Sequence, residues 1–253
     1  MKKALFYVVM FLFIQLVVTS AFSLGAKIAG MPKVTPVMYI VMFSVFNLIV
    51  IAVFAWLKWT PVNRKYMRSR PWAVLFWVVV AALGAILPSL GLQELLPDMP
   101  NTIEKELENM ISSRWGYFAV GLFAPIGEEF VFRGAALRSL LESVKKPWVA
   151  IVLSALLFSL AHFNPAQMLH AFLVGLLLGW MYWRTGSIIP GIVYHWVNNS
   201  VAYVAANLLP GKSDSLTEIF GGNQQSMLLS ILFSLCILLP ALFQLHLRMR
   251  KAS

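Results

Sequence analysis

Three charges, Glu128, Glu129 and Arg133, stand inside the 22-residue stretch 116–137, whose other residues are all uncharged. About 20 predominantly apolar residues suffice for a helix to cross a bilayer, so the stretch is a candidate span. A charge at mid-membrane costs at least a few kcal/mol. A chain that keeps three of them has to pair them or use them, and the partners must come from other spans.

The rest of the chain is built to supply such spans. Apolar stretches recur at 4–22, 35–57, 72–92, 116–137, 148–161, 166–183, 187–209 and 227–245, the fifth and sixth being short. With 60% hydrophobic and 12% charged residues and a mean hydropathy of +0.78, an ordinary soluble domain is excluded. The expected fold class is all-α: a polytopic transmembrane bundle of about eight helices with the active site inside the membrane. A single integral membrane domain is expected over 1–253, with its catalytic core at 116–209. Lys2 and Lys3 ahead of the first apolar run resemble a secretory signal, but that run is longer than a signal's usual apolar core, so a retained helix is expected. The single cysteine, Cys236, can form no internal disulfide and is expected as a small core residue.

Charge placement orients the bundle. With a cytoplasmic amino terminus, eight crossings put fourteen basic residues inside: Lys2, Lys3, Lys58, Arg64, Lys65, Arg68, Arg70, Arg138, Lys145, Lys146, Arg184, Arg248, Arg250 and Lys251. Five fall outside, namely Lys27, Lys33, Lys105, Arg114 and Lys212. The bias obeys the positive-inside rule and places both termini in the cytoplasm. It also accounts for the net charge of +10, so the expected partner is the lipid bilayer and no nucleic-acid partner is expected. On the outer side, Ile103, Leu107, Met110 and Ile111 share a helical face and predict an amphipathic surface helix over 101–113, with Asn101 as its cap and Glu104 three residues on.

The remaining ionisable groups within spans are His162, His170 and His195, with the amides Asn164, Asn198 and Asn199 nearby. On one α-helix Glu129 and Arg133 are four apart and predict an internal ion pair. Glu128, rotated by about 100°, is left without a partner in its own segment. Pro125 removes the donor for the Gly121 carbonyl and predicts a kink just before the glutamates. At about 1.5 Å per residue from the cytoplasmic ends, Glu128, His162, His195 and Asn199 lie about 15, 21, 12 and 18 Å deep. Three helices thus deliver four polar side chains to one layer. His195 and Asn199 face the same way, and His170 is read as a packing or hydrogen-bonding residue.

Hydrolysis is the chemistry these groups suggest. A glutamate in apolar surroundings suits a general base and, with a histidine, can hold and deprotonate a water. A second histidine and an amide on its face can donate to the oxyanion that forms on a peptide carbonyl. One carboxylate and two imidazoles are equally the usual ligands of a catalytic zinc, so the residues leave metal-free and zinc-dependent hydrolysis both open and fix no cofactor. A proton-coupled transporter or channel uses the same mid-membrane Glu and His residues and is the alternative from another class. A catalytically silent scaffold is the third. No second copy of the acidic motif is present, as the inverted repeat of many transporters would lead one to expect.

Glu128-Glu129-x-x-x-Arg133, Phe158-x-x-x-His162 and His195-x-x-x-Asn199, each in its own apolar stretch, resemble the three polar motifs of the CAAX prenyl endopeptidase and bacteriocin-processing (CPBP or Abi) family of intramembrane peptidases. Phe172-x-x-Gly175-x-x-x-Gly179 and the connector Arg184-Thr185-Gly186-Ser187 look like that family's small-residue helix and its exit. The resemblance covers about residues 125–199. It implies that Glu128 activates the attacking water with His162, that His195 and Asn199 bind the oxyanion, and that Glu129 and Arg133 hold the site in shape. The family is described both as zinc-dependent and as glutamate-dependent without metal; the second description is adopted as the expectation. The implied substrates are peptide bonds of membrane-associated proteins or peptides, prenylated or not. A short chain with nothing appended looks like the bacterial branch of the family, implying the inner membrane.

Overall fold

A computed structural model describes residues 1–31, 35–61, 65–95, 97, 99–209 and 215–251. Lys33, Arg64 and Lys212, which entered the charge count above, lie outside these residues. The apolar stretches become α1 (Lys2–Ile28), α2 (Pro36–Trp56), α4 (Trp72–Gln93), α8 (Pro147–Leu160), α9 (Pro165–Thr185), α10 (Ile189–Leu208) and α12 (Gln224–Arg248). Short helices α3 (Lys65–Arg68), α5 (Glu104–Ile111) and α11 (Leu216–Ile219) sit in the connections. No strand occurs among the described residues. Local sequence sets the ends: the Thr35 hydroxyl accepts the Met38 N–H at the start of α2, and Gly186, at φ +66°, closes α9 in the left-handed conformation that favours glycine. Helices α1, α2, α4, α9 and α12 are long and apolar enough to cross a bilayer. The chain is a multi-pass helical membrane bundle.

The charged stretch is helical throughout, but it is not one α-helix. It runs as π1 (Phe118–Phe123), α6 (Ala124–Glu129), π2 (Phe130–Leu137) and α7 (Arg138–Ser143). The expected kink at Pro125 takes the form of wider winding, in which the Ala124 N–H reaches back five residues to the Ala119 carbonyl. In π2, neighbouring hydroxyls serve the backbone: Thr60 donates to the Phe130 carbonyl and Ser154 to the Phe132 carbonyl. The π winding is therefore supported by side chains from two other segments.

Two helix pairs, α4 with α12 and α8 with α9, make the most extensive contacts. Gly175 and Gly179 allow the second: a Cβ on Gly175 would lie 3.0 Å from that of Ala155, and one on Gly179 2.9 Å from Ile151 Cγ2. Helix α1 packs Val8, Phe11 and Ile14 into the core shared with α2 and π2. The basic ends gather on one face, where Arg138 donates to the Trp59 carbonyl and Arg184 to the His246 and Met249 carbonyls.

Two expectations fail here. Asn101 does not cap α5, which begins at Glu104 without a side-chain cap; its Oδ1 accepts from Asn164 Nδ2 instead, at 2.9 Å. Asn164 is buried at the α8–α9 corner and needs partners there, and it accepts the Thr102 N–H as well, so the α5 approach is tied to that corner. Cys236 is exposed and not in the core. Helix α12 lies at the edge of the bundle, and apolar residues there face lipid as readily as protein.

Elsewhere on the surface, Glu94 accepts the Thr217 N–H and the hydroxyls of Ser215 and Thr217 at 2.9 to 3.2 Å. Burial acts to raise its carboxyl, and these bonds outweigh it, holding the group below its ordinary value.

Gly84 meets the α12 backbone directly: a Cβ there would lie 2.8 Å from Leu238 N, whereas one on Gly25 would meet nothing within 4 Å. Gly84→Ala should cost about 1–3 kcal/mol through overpacking. Gly25→Ala should leave the protein unchanged or slightly more stable. Thermal unfolding in detergent checks the pair.

Candidate active site

The site begins with a buried ion pair. Arg133 Nη1 donates to Glu129 Oε1 at 2.7 Å, and both side chains are fully buried. The guanidinium also lies over the Phe158 ring, 4.3 Å from its centroid, and Nη2 donates to the Gly175 carbonyl at 3.4 Å. The pairing is as expected, but the two residues do not fully satisfy each other, because Glu129 Oε2 and Arg133 Nε have no hydrogen-bond partner. Burying two ions is favourable only when their remaining polar atoms are also served. The free atoms show where the cluster is still open.

His195 stands between the two carboxylates. Its Nδ1 lies 3.4 Å from Glu129 Oε1 and its Nε2 lies 3.7 Å from Glu128 Oε2. Neither contact qualifies as a hydrogen bond, and Nδ1 and Glu128 Oε2 are both buried without a partner. Two carboxylates and one guanidinium leave a formal charge of −1 in apolar surroundings.

Glu128 differs from Glu129 in access. Its side chain keeps 16% exposure where Glu129 has none, so only the first carboxylate is open to a reactant. The approach of α10 to α6 depends on Gly191, one turn before His195, where a Cβ would fall 2.5 Å from Glu129 Oε2. Gly127 has the same role toward α2, where a Cβ would meet Asn47 Oδ1 at 2.5 Å.

His162 and Asn199 lie at the edges of this core. His162 Nδ1 is 2.8 Å from the Phe158 carbonyl, which can only accept, so Nδ1 carries the proton and a neutral ring has its lone pair on Nε2. The Phe158 ring meets the His162 ring edge-on at 4.8 Å and the His195 ring at 5.7 Å. Phe158 is thus the common neighbour of Arg133, His162 and His195, and no ion-pair contact joins His162 to Glu128. Asn199 Nδ2 donates to the Val120 carbonyl in π1 at 3.0 Å, and its Oδ1 accepts from Asn198 at 3.3 Å.

His170 has the hydrogen-bonding role expected of it. Asn198 Nδ2 donates to its Nε2 at 3.2 Å, which leaves the proton on Nδ1 for the Ser89 hydroxyl at 2.7 Å. Ser89, His170, Asn198 and Asn199 therefore link α4, α9 and α10 and hold the Asn199 amide in orientation. Sequence reasoning missed Gly191, Asn47 and Ser89. Of these only Gly191 carried a signal, lying four residues before His195 on the same helix face.

One carboxylate and two imidazoles are present by type, but they are not gathered as a zinc cage. Among the described residues no group of three His, Cys, Asp or Glu side chains converges to hold a metal ion. The donors as placed do not fit the catalytic zinc ligand set.

Residues 110–201, from the end of α5 to the second half of α10, match the family model of the type II CAAX prenyl endopeptidase, Rce1-like. Over this region, about a third of the chain, the protein is similar to that endopeptidase family. The match contains all three polar motifs, so the family region holds Glu128, Glu129, Arg133, His162, His195 and Asn199. The family is one of proteases. No curated protein and no solved structure matches the chain.

The buried pair and the exposed carboxylate should respond differently to substitution. Arg133→Met strands the Glu129 charge and should cost about 3–5 kcal/mol, seen as loss of monodisperse protein in detergent. Glu128→Gln keeps the volume and breaks no hydrogen bond. Its melting temperature should stay within about 2 °C of wild type, less than a 1 kcal/mol change would move it.

Proposed function

We propose that the chain is an intramembrane endopeptidase that hydrolyses peptide bonds of membrane-associated proteins or peptides, prenylated or not. The observation that carries this reading is the Glu128 carboxylate. It is partly exposed, free of any hydrogen-bond partner, and faces His195 across 3.7 Å beside a fully buried ion pair. A structural carboxylate would be fully buried and hydrogen-bonded, as Glu129 is. A partly exposed one that accepts no hydrogen bond inside a membrane bundle is a functional group by default.

In the proposed mechanism Glu128 takes the proton from the attacking water, with His162 Nε2 as second acceptor. The water oxygen adds to the substrate carbonyl carbon. His195 and the Asn199 amide, which keeps one N–H beyond its bond to Val120, donate to the resulting oxyanion. Collapse of that intermediate breaks the C–N bond, and the proton held by the Glu128–His195 pair passes to the leaving amine. Glu129 and Arg133 orient Glu128 and His195 and do not touch the substrate. The catalytic core lies within 116–209 of one membrane domain, with both termini on the cytoplasmic side of a bacterial inner membrane.

Glu128→Gln, His162→Ala, His195→Ala and Asn199→Ala should each lower cleavage of a membrane-anchored peptide by about 100-fold or more. Folding is checked in parallel by thermal unfolding. Wild-type turnover by folded Glu128→Gln would overturn the mechanism. Proton flux in liposomes without peptide product would favour a transporter.

A further inference from the structure

A second polar feature lies on the basic face, away from the Glu–His cluster. A groove of about 530 Å³ runs between the start of α4 and the end of α12 and is lined by Arg70, Arg248 and Arg250 over an apolar floor that includes Val74 and Leu247. No acidic residue lines it. Arg248 gives only its Nε, to Gln244 Oε1 at 2.9 Å, and among the described residues Arg70 and Arg250 have no side-chain partner.

Three guanidiniums held together without a counter-charge repel one another unless an anion joins them. Both walls are firm, since α4 and α12 form one of the two most extensive helix contacts and Gly84 meets the α12 backbone. Arg70 is held at φ +52°, a left-handed backbone conformation that costs free energy for a residue with a side chain. The start of α4 adds to the positive field, having neither a side-chain cap nor an acid in its first turn.

What leads away from the groove is apolar. Trp72, next to it, is exposed as interfacial tryptophans are. Phe76 and Leu83 on α4 and Leu239 and Phe243 on α12 are large exposed hydrophobics on the same two helices. A ligand matched to this surface carries a phosphate and an acyl chain.

We propose that the groove binds an anionic phospholipid, its phosphate held by Arg70, Arg248 and Arg250 and its chain lying along α4 and α12. Basic pockets between membrane helices suit this ligand class, and each arginine near the headgroup contributes several-fold to affinity. The site is independent of the peptidase reading.

The test is native mass spectrometry of the full chain in detergent, titrated with phosphatidylglycerol and with phosphatidylcholine. Wild type should bind phosphatidylglycerol at least tenfold more tightly. The triple variant Arg70→Gln, Arg248→Gln, Arg250→Gln should lose that preference, and Lys2→Gln, Lys3→Gln, Lys145→Gln, which removes equal charge from the same face, should keep it within twofold. If the arginine triple does not fold, Arg250→Gln, beyond the helix end, should still weaken phosphatidylglycerol binding about threefold. Equal binding of the two lipids by wild type, retention by the arginine triple, or equal loss in the lysine triple would each overturn the proposal. So would displacement of phosphatidylglycerol by millimolar inorganic phosphate, which would make the groove a phosphate site and not a lipid site.

Discussion

Everything around the cluster depends on the bond between Arg133 and Glu129. Two ions with no exposure at all are costly to bury, and their attraction offsets that cost only with close geometry and further partners. The structure provides the 2.7 Å contact, the Phe158 ring under the guanidinium and the Gly175 carbonyl. Those three partners come from α6, α8 and α9, so the pair fixes the relative positions of three helices. The position of Glu128 follows, since it is the residue next to Glu129 on a segment that the ion pair pins.

The wide winding on either side has a related cause. Pro125 cannot donate a backbone hydrogen bond, and helices at such points are re-served by neighbouring side chains or by local π turns. Both occur here. Thr60 and Ser154 reach π2 carbonyls, and Asn199 reaches the Val120 carbonyl in π1. An amide that resembles an oxyanion donor is therefore also a clasp for irregular backbone. The Ser89–His170–Asn198 chain extends that clasp to α4 and α9.

How much of this was legible depends on the range of each signal. Helix positions and the ion pair were readable because hydropathy and a four-residue spacing are local. The π winding was not, because it answers to hydroxyls on Thr60 and Ser154 that are distant in sequence. The approach of His195 to both carboxylates was only half readable. Depth placed it in the same layer, but its contact with Glu129 depends on Gly191, whose lack of a side chain means something only once Glu129 is opposite it. Cys236 shows the opposite limit: in a membrane protein an apolar run does not distinguish a protein-facing residue from a lipid-facing one. Asn101 carried a plausible cap signal, and the buried Asn164 competed for it.

The central claim is that the partly exposed carboxylate beside this pair delivers a water to a peptide bond. Reconstituting the wild-type protein in liposomes with a membrane-anchored peptide in ¹⁸O-water tests it most directly. The account predicts two peptide fragments, with one solvent oxygen in the newly formed carboxyl group. A protein that conducts protons in the same liposomes while the peptide stays whole, or fragments whose new terminus carries no solvent oxygen, would contradict it.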